Sequence, residues 1–305
     1  MSDAAPRVSV IIPAYYSHGT VRLCLEALGR QTFCDFETIV VNSSPDTTTA
    51  DLVISEFPEV RFVQSPDRLL PHAARNLGVG LASGALLVFT DPDCEAAPDW
   101  LEWLVAANDA GHRVVGGSIE PGSRRWLECG THLCKFSWVL SGLAPGPRWI
   151  LPSANVSYAR GVWDAVGPLD PTRFCSDSLL SWKAAASGDR PWFEPRAVVK
   201  HHHDDAFGAY WRERLGRGRE FGAMRIEFER WSRGRAAARL PLLPLLVPLV
   251  LARAARDAVR SGWGMRFVTT LPVQLAGQLA WCLGEARSCW RHATSGDAIG
   301  ERSTV

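Results

Sequence analysis

The sequence predicts an α/β fold: an open, mostly parallel sheet with helices on both faces, followed by an apolar helical appendage. Three observations carry this. From residue 8 to about 119, short β-branched runs alternate with segments whose apolar residues recur at three- and four-residue spacing. The strand-like runs end in polar or turn-forming residues, Pro13-Ala14-Tyr15, Asn42-Ser43-Ser44 and Asp91-Pro92-Asp93. In a wound sheet, ligands sit beyond the carboxyl ends of the strands, so these ends should converge on one crevice. After about Ala236 the composition shifts to leucine-rich, proline-punctuated runs.

Taken in order, VSVII at 8–12 is a short buried strand, and 21–31 is a helix with Val21, Cys24, Leu25 and Leu28 on one face. ETIVV at 37–41 is the second strand, 48–57 the second helix and VRFVQ at 60–64 the third strand. Residues 71–83 form a helix opened by Pro71, where a missing N–H costs nothing. LLVFTD at 86–91 is the fourth strand, 99–108 a helix capped by Asp99, and 113–121 a further strand. The Trp-, Cys- and Gly-rich stretch 124–148 reads as loop and helix beside the site. Strand character returns at 149–160, a helix follows at 176–187, and 191–203 is strand-like and ends in three histidines. Residues 206–225 form a basic helix, bent near Gly216 or Gly218.

The 305 residues suffice for one large domain, 1–235, plus a helical hairpin, 236–292. A formal net charge of +1 argues against a nucleic-acid binder driven by phosphate contacts. The polar start MSDAAPR predicts no secretory signal. The 8 cysteines lack a CxxC pair, Cys129 and Cys134 being the nearest, and read as reduced thiols of a cytosolic protein. Residues 267–284 carry no charge and 239–260 are broken by Pro241, Pro244 and Pro248. The hairpin either packs on the sheet domain or lies at a membrane surface with its arginines at headgroup level; so many leucines favour the membrane. The polar stretch 293–305 is expected to be a disordered tail.

The chemistry centres on LLVFTDPD. It delivers Asp91 and Asp93 to a strand end at i and i+2, on one side of an extended chain, with Pro92 stiffening the loop between them. Two hard oxygen ligands suit a divalent cation, and that cation can carry a diphosphate. Asp177 near the start of the 176–187 helix is a candidate general base, with the helix-capping role as its bland alternative. Asp170 reads better as a turn residue. His201 and His203 would share one side of an extended strand. Gly78, Gly80 and Gly84 fall inside or at the end of a helix, not between a strand and a helix, so they form no dinucleotide fingerprint.

The succession VSVIIPAYY, VVNSS, Ala74-Arg75-Asn76 with Gly84, and FTDPDC resembles the family-2 glycosyltransferases, which have the GT-A fold, over roughly residues 8–221. The resemblance implies transfer of a sugar from a nucleotide-diphosphate donor to an acceptor hydroxyl, with inversion and with Mg2+ or Mn2+. It implies that Pro13, Ala14 and Tyr15 hold the nucleobase. Asn42 stands where many members have an Asp that contacts the base, and Arg75 either faces the diphosphate or braces the site. Asp91 would orient ribose or the metal shell, Asp93 would bind the metal, and Asp177 would be the base. Ser176 precedes it where many members have Glu. One of His201, His202 and His203 would complete the metal shell or touch a phosphate, with His203 as the metal candidate, though the sequence does not choose among them. Arg214, Arg217 and Arg219 lie on a helix within reach of donor or lipid-linked phosphates. The acceptor is a glycan, a lipid-linked sugar or a small molecule, as in cell-envelope or polysaccharide biosynthesis, at the cytoplasmic face of the membrane. Two rivals remain: a catalytically inactive nucleotide-sugar-binding or scaffold protein, and a nucleotidyltransferase. The second would want a Gly-rich basic loop where AYYSHGT stands.

Overall fold

A computed structural model describes residues 5–203 and 206–294. Its centre is a nine-stranded sheet in the order β3-β2-β1-β4-β8-β6-β9-β5, with β7 paired to β9. The strands are β1 (Val8–Ala14), β2 (Phe36–Asn42), β3 (Arg61–Gln64), β4 (Leu86–Thr90), β5 (Cys94–Ala96), β6 (Val114–Pro121), β7 (Gly146–Pro147), β8 (Asn155–Ala159) and β9 (Trp192–His201). The first half is parallel, as expected. The second half is mixed, because β8 runs antiparallel to both β4 and β6, while β6 and β9 are parallel. The reason lies in the connection. Asn155 opens β8 opposite Thr90, the last residue of β4. The connection 122–154 therefore leaves from and returns to the edge where the parallel strands end, dipping into the sheet only at β7, and β8 descends from there.

Both faces of the sheet are covered at its centre, so β1 and β4 are buried along their whole length rather than alternating. Val8, Val10 and Ile12 pack with α1 (Val21–Leu28), α2 (Thr48–Glu56) and α4 (Trp100–Asp109). Ile11, Leu87 and Phe89 face α3 (Pro71–Leu81), α6 (Arg160–Val166) and α7 (Ser176–Ala186). Asp99 precedes α4, but its side chain makes no cap and instead accepts from the Trp103 indole at 2.8 Å. Residues 149–154 do not join β8: the Asn155 N–H turns back to the Pro152 carbonyl at 3.1 Å.

α5 (Trp126–Phe136) and α8 (Phe207–Phe228) carry the chain to α9 (Arg233–Arg239), α10 (Leu243–Arg260), α11 (Gly264–Thr269) and α12 (Leu271–Thr294). The stretch expected as a tail is helical through Thr294, and its remainder lies outside the described residues. α8 runs as one helix through Gly216 and Gly218. The role of Gly218 is a close crossing: a Cβ there would lie 2.2 Å from the Trp281 carbonyl oxygen, and one at Gly284 would lie 2.2 Å from that of Leu215. α8 and α12 thus touch backbone to backbone, and the C-terminal helices are built onto the sheet domain. Their outer faces remain apolar, with Leu245 and Leu249 on α10 and Leu271, Leu275, Leu279 and Leu283 on α12 exposed.

Candidate active site

The site begins where β1 and β4 part. Their pairing ends at Ile11 and Phe89. Two residues later β1 carries Pro13, which has no N–H to offer on the vacated side. The splay opens a cleft of about 510 Å3 lined by Pro13, Ala14, Tyr15, Arg75, Asp91, Asp93, Asp177 and His203, among others.

Asp91-Pro92-Asp93-Cys94 is a tight turn, in which the Asp91 carbonyl accepts from the Cys94 N–H at 3.1 Å and Pro92 takes the second position. A turn, rather than an extended strand, therefore sets both carboxylates toward the cleft. The main chain at Asp93 is pinned from behind, because the His202 N–H donates to the Asp93 carbonyl at 2.9 Å. Arg75, 2% exposed, donates to the Asp91 carboxylate and braces it. His72 fixes the guanidinium in turn: its Nε2 donates to the Phe174 carbonyl at 3.0 Å, leaving Nδ1 facing Arg75 at 3.4 Å. Burial, and next the Arg75 charge, push the His72 pKa down, which keeps the ring neutral.

Burial pushes the Asp93 carboxyl up, while the neighbouring His201 pulls it down and Asp91 pushes it up again. His201 Nε2 lies 3.7 Å from Asp93 Oδ1. His201 Nδ1 is buried and has no hydrogen-bond partner among the described residues. One cation with bonds of about 2.1 Å can touch both an oxygen and a nitrogen at that separation. The Cys94 thiol is also within reach, yet burial raises its pKa well above the usual thiol range, and a hard cation prefers the oxygen and nitrogen. The residues present thus fit Mg2+ or Mn2+ through Asp93 and His201. The histidine beside Asp93 is His201, not the expected His203. β9 ends at His201, and His203 beyond it is buried and stacks on His201 with ring centroids 4.2 Å apart, so the two rings lie on one side of the chain.

Asp177 sits in the first turn of α7, whose N-cap is Cys175. Its Oδ2 accepts from the Ser153 N–H at 3.2 Å and its Oδ1 from the Ser178 N–H at 2.7 Å. Asp170 instead closes a surface turn, accepting from Thr172 and pairing with Arg173. Asn42 is fully buried and lies off the cleft wall: it donates to Gln64 at 2.8 Å and accepts from the Ser44 hydroxyl at 3.0 Å. Its parallel register with Gln64 places that partner directly beside it. The neighbouring Ser43 lines the cleft in its stead.

Residues 9–151 match the family model described as Glycosyl transferase family 2. That stretch is a family-2 glycosyltransferase domain. It is 26% identical to glycosyltransferase AglE of Haloferax volcanii over 61% of this chain and 63% of that protein. It is 31% identical to the succinoglycan biosynthesis protein ExoO of Rhizobium meliloti over 35% of this chain and 31% of that protein. The chain thus spans under two thirds of either relative's length. Its fold resembles that of a mannosyltransferase from Pyrobaculum calidifontis, solved with GDP-Man and Mn2+, at TM-score 0.58 and 18% identity, covering 90% of this chain and 88% of that one. That likeness establishes the GT-A-like fold of this family-2 glycosyltransferase domain.

Several cleft residues escaped the sequence reading. Arg68 lies over the Tyr15 ring at 4.8 Å. Lys135 of α5 pairs with Glu213 of α8, which also accepts from Arg217 at 2.8 Å. Burial raises the Glu213 carboxyl, but Lys135 and Arg217 outweigh it and bring its pKa down. Asn76 clamps the Leu169 backbone from both sides, at 2.7 and 3.1 Å, and so positions the segment leading to Asp177. Lys135 and Glu213 come from helices with no motif of their own and Arg68 from the loop before α3, whereas Asn76, next to Arg75, and Arg217 carried a signal in the sequence. Arg214, expected within reach of phosphates, is instead buried under the Trp281 ring at 4.4 Å.

Proposed function

We propose that this protein moves a sugar from a nucleoside-diphosphate donor to an acceptor hydroxyl, with inversion at the anomeric carbon and with Mg2+ or Mn2+ as cofactor. One observation carries the reading: Asp91, Asp93 and Asp177, from two elements far apart in sequence, face a single cleft at the switch point of the sheet. In this reading the Tyr15 ring, backed by Arg68, stacks on the nucleobase. Asp91, held by Arg75, orients the ribose end of the donor. Asp93 and His201 would hold the cation, which when bound supplies neutralising charge to the departing diphosphate. Asp177 takes the proton of the acceptor hydroxyl as it attacks, and its two backbone N–H partners keep the carboxylate aimed. Pro13, Ala14 and Ser43 supply the remaining wall of the donor site. The GDP-Man and Mn2+ held by the structurally similar mannosyltransferase support this use of the cleft.

The same reading places the C-terminal helices against the cytoplasmic side of a membrane. Residues Arg233–Arg260 form a helical stretch whose apolar 18-residue window has a mean hydropathy of 1.6 and is 17% buried. The exposed leucines of α10 and α12 would rest at the acyl boundary, and the neighbouring arginines at headgroup level. Glycan, lipid-linked and small acceptors, and a place in envelope or polysaccharide synthesis, all accord with such a site. The test is a thermal-shift screen of nucleotide sugars with and without Mn2+, followed by assay of nucleoside-diphosphate release. Turnover should vanish with EDTA, return with Mn2+ and be absent in Asp93→Asn. Full turnover by Asp93→Asn would refute the assignment.

A further inference from the structure

Beside the donor cleft lies a second groove of about 940 Å3 between α8, α12 and the loop before α7. The two spaces share one partition, made of Phe174, Glu213 and Arg217, which line both. Arg217 stands over the Phe174 ring at 5.3 Å, so that partition is a stacked pair. Asp177 faces the donor side of it, and the charges of Asp177 and Arg217 are close enough to act on each other.

The charge of the groove is one-sided. Its three carboxylates are already engaged: Glu213 with Lys135 and Arg217, Glu220 with the Cys175 N–H at 2.9 Å, and Glu227 with Arg173 at 2.8 Å. Arg212, Arg219 and Arg287 also line the groove, are exposed, and have no carboxylate partner among the described residues. Three guanidinium groups line one concavity, on two helices locked backbone to backbone, and give it an excess of positive charge. The floor of Leu215, Ala223 and Ile226 is apolar.

We infer that this groove is the acceptor subsite, and that the acceptor carries a phosphate or pyrophosphate next to an apolar segment. The inference rests on the proposed sugar transfer. Bound there, the acceptor would lay its anionic group against Arg219 and Arg287 and pass its reacting hydroxyl across the Phe174–Arg217 partition to Asp177. A neutral glycan would leave those guanidinium groups without a partner.

The test uses the full chain and n-hexyl phosphate, titrated calorimetrically, with inorganic phosphate and hexanol as controls. Hexyl phosphate should bind, inorganic phosphate more weakly, and hexanol not at all. Arg219→Gln and Arg287→Gln keep much of the apolar stem, and each should weaken binding about tenfold, as expected for a lost charge-assisted hydrogen bond. An unchanged melting temperature would show that the variants are folded. Hexyl phosphate affinity unchanged in the double variant would overturn the inference, because the anion would then sit elsewhere. So would arginine-dependent binding to phosphatidylglycerol vesicles without hexyl phosphate binding, which would assign the arginines to a membrane headgroup layer. Failure of the donor reading would appear separately, as no Mn2+-dependent thermal shift with any nucleotide sugar.

Discussion

Asp177→Asn separates a base from a cap. In the folded protein the carboxylate accepts two backbone N–H bonds, from Ser153 at 3.2 Å and Ser178 at 2.7 Å. Asparagine has the same shape but only one acceptor oxygen, so one N–H faces an amide NH2. The structural cost is one lost hydrogen bond, about 1–1.5 kcal/mol, or a fall of about 2 °C in melting temperature for a chain of this size. The chemical cost is larger. A positioned general base contributes about 10²–10⁴-fold, and the amide cannot accept the acceptor proton. The turnover rate for nucleoside-diphosphate release with acceptor should therefore drop by at least about a hundredfold. Mn2+-dependent binding of the donor should stay close to wild type, since Asp177 is not among the groups placed on the diphosphate. A folded variant that turns over within about tenfold of wild type would refute the base assignment. Asp177 would then be a helix-start residue only.

Arg75→Met removes a buried partner from Asp91, whose side chain still reaches water at 26% exposure, so about 2–3 kcal/mol of stability should go in urea titrations and nucleotide-sugar affinity with it. Gly218→Ala would gain about 1 kcal/mol of helix propensity in an isolated helix, yet its Cβ would lie 2.2 Å from the Trp281 carbonyl oxygen. Prying α8 from α12 costs about 1–3 kcal/mol, so a net loss measured by thermal melting is expected. Glu37 Oε1 accepts from Ser9 Oγ at 2.7 Å, Ser83 N at 2.7 Å and Ser83 Oγ at 2.6 Å; burial raises its pKa, but these bonds outweigh that and bring it below the usual 4.5. Its stabilisation is therefore full above pH 4.5 and lost as pH falls through the lowered value, so the stability gap to Glu37→Gln should be wide at pH 7 and shrink at pH 3.

The strand and helix order was legible because both periods are written locally. Val21, Cys24, Leu25 and Leu28 are buried on one face of α1, and Pro71 opens α3 as its fixed φ requires. The acidic pair at the end of β4 was legible too, since strand ends in a wound sheet point at the crevice. The direction of β8 was not, because nothing in five apolar-rich residues says from which edge they enter the sheet. β5 was also hidden: three residues are too few to show a period, and Cys94 finds its place only by pairing with His201.

Within the site, local chemistry named Asp91, Asp93 and Asp177, but the choice of histidine depended on register. Cys94 pairs with His201, which sets that ring beside Asp93 and turns the next ring on its side toward His132. Asn42 shows the converse. Its position at a strand end pointed to the ligand, but the parallel register delivered Gln64 to its amide, and a buried donor takes the nearest acceptor.

The order of elements and the turn that presents the carboxylates are set by residues within a few positions of one another, whose sterics and periodicity act wherever the chain lies. The partition between the two grooves, the burial of Arg214 and the packing of α12 along α8 join residues some 40 to 70 positions apart. Such contacts exist only once the sheet has brought α7, α8 and α12 together, and no local pattern encodes them.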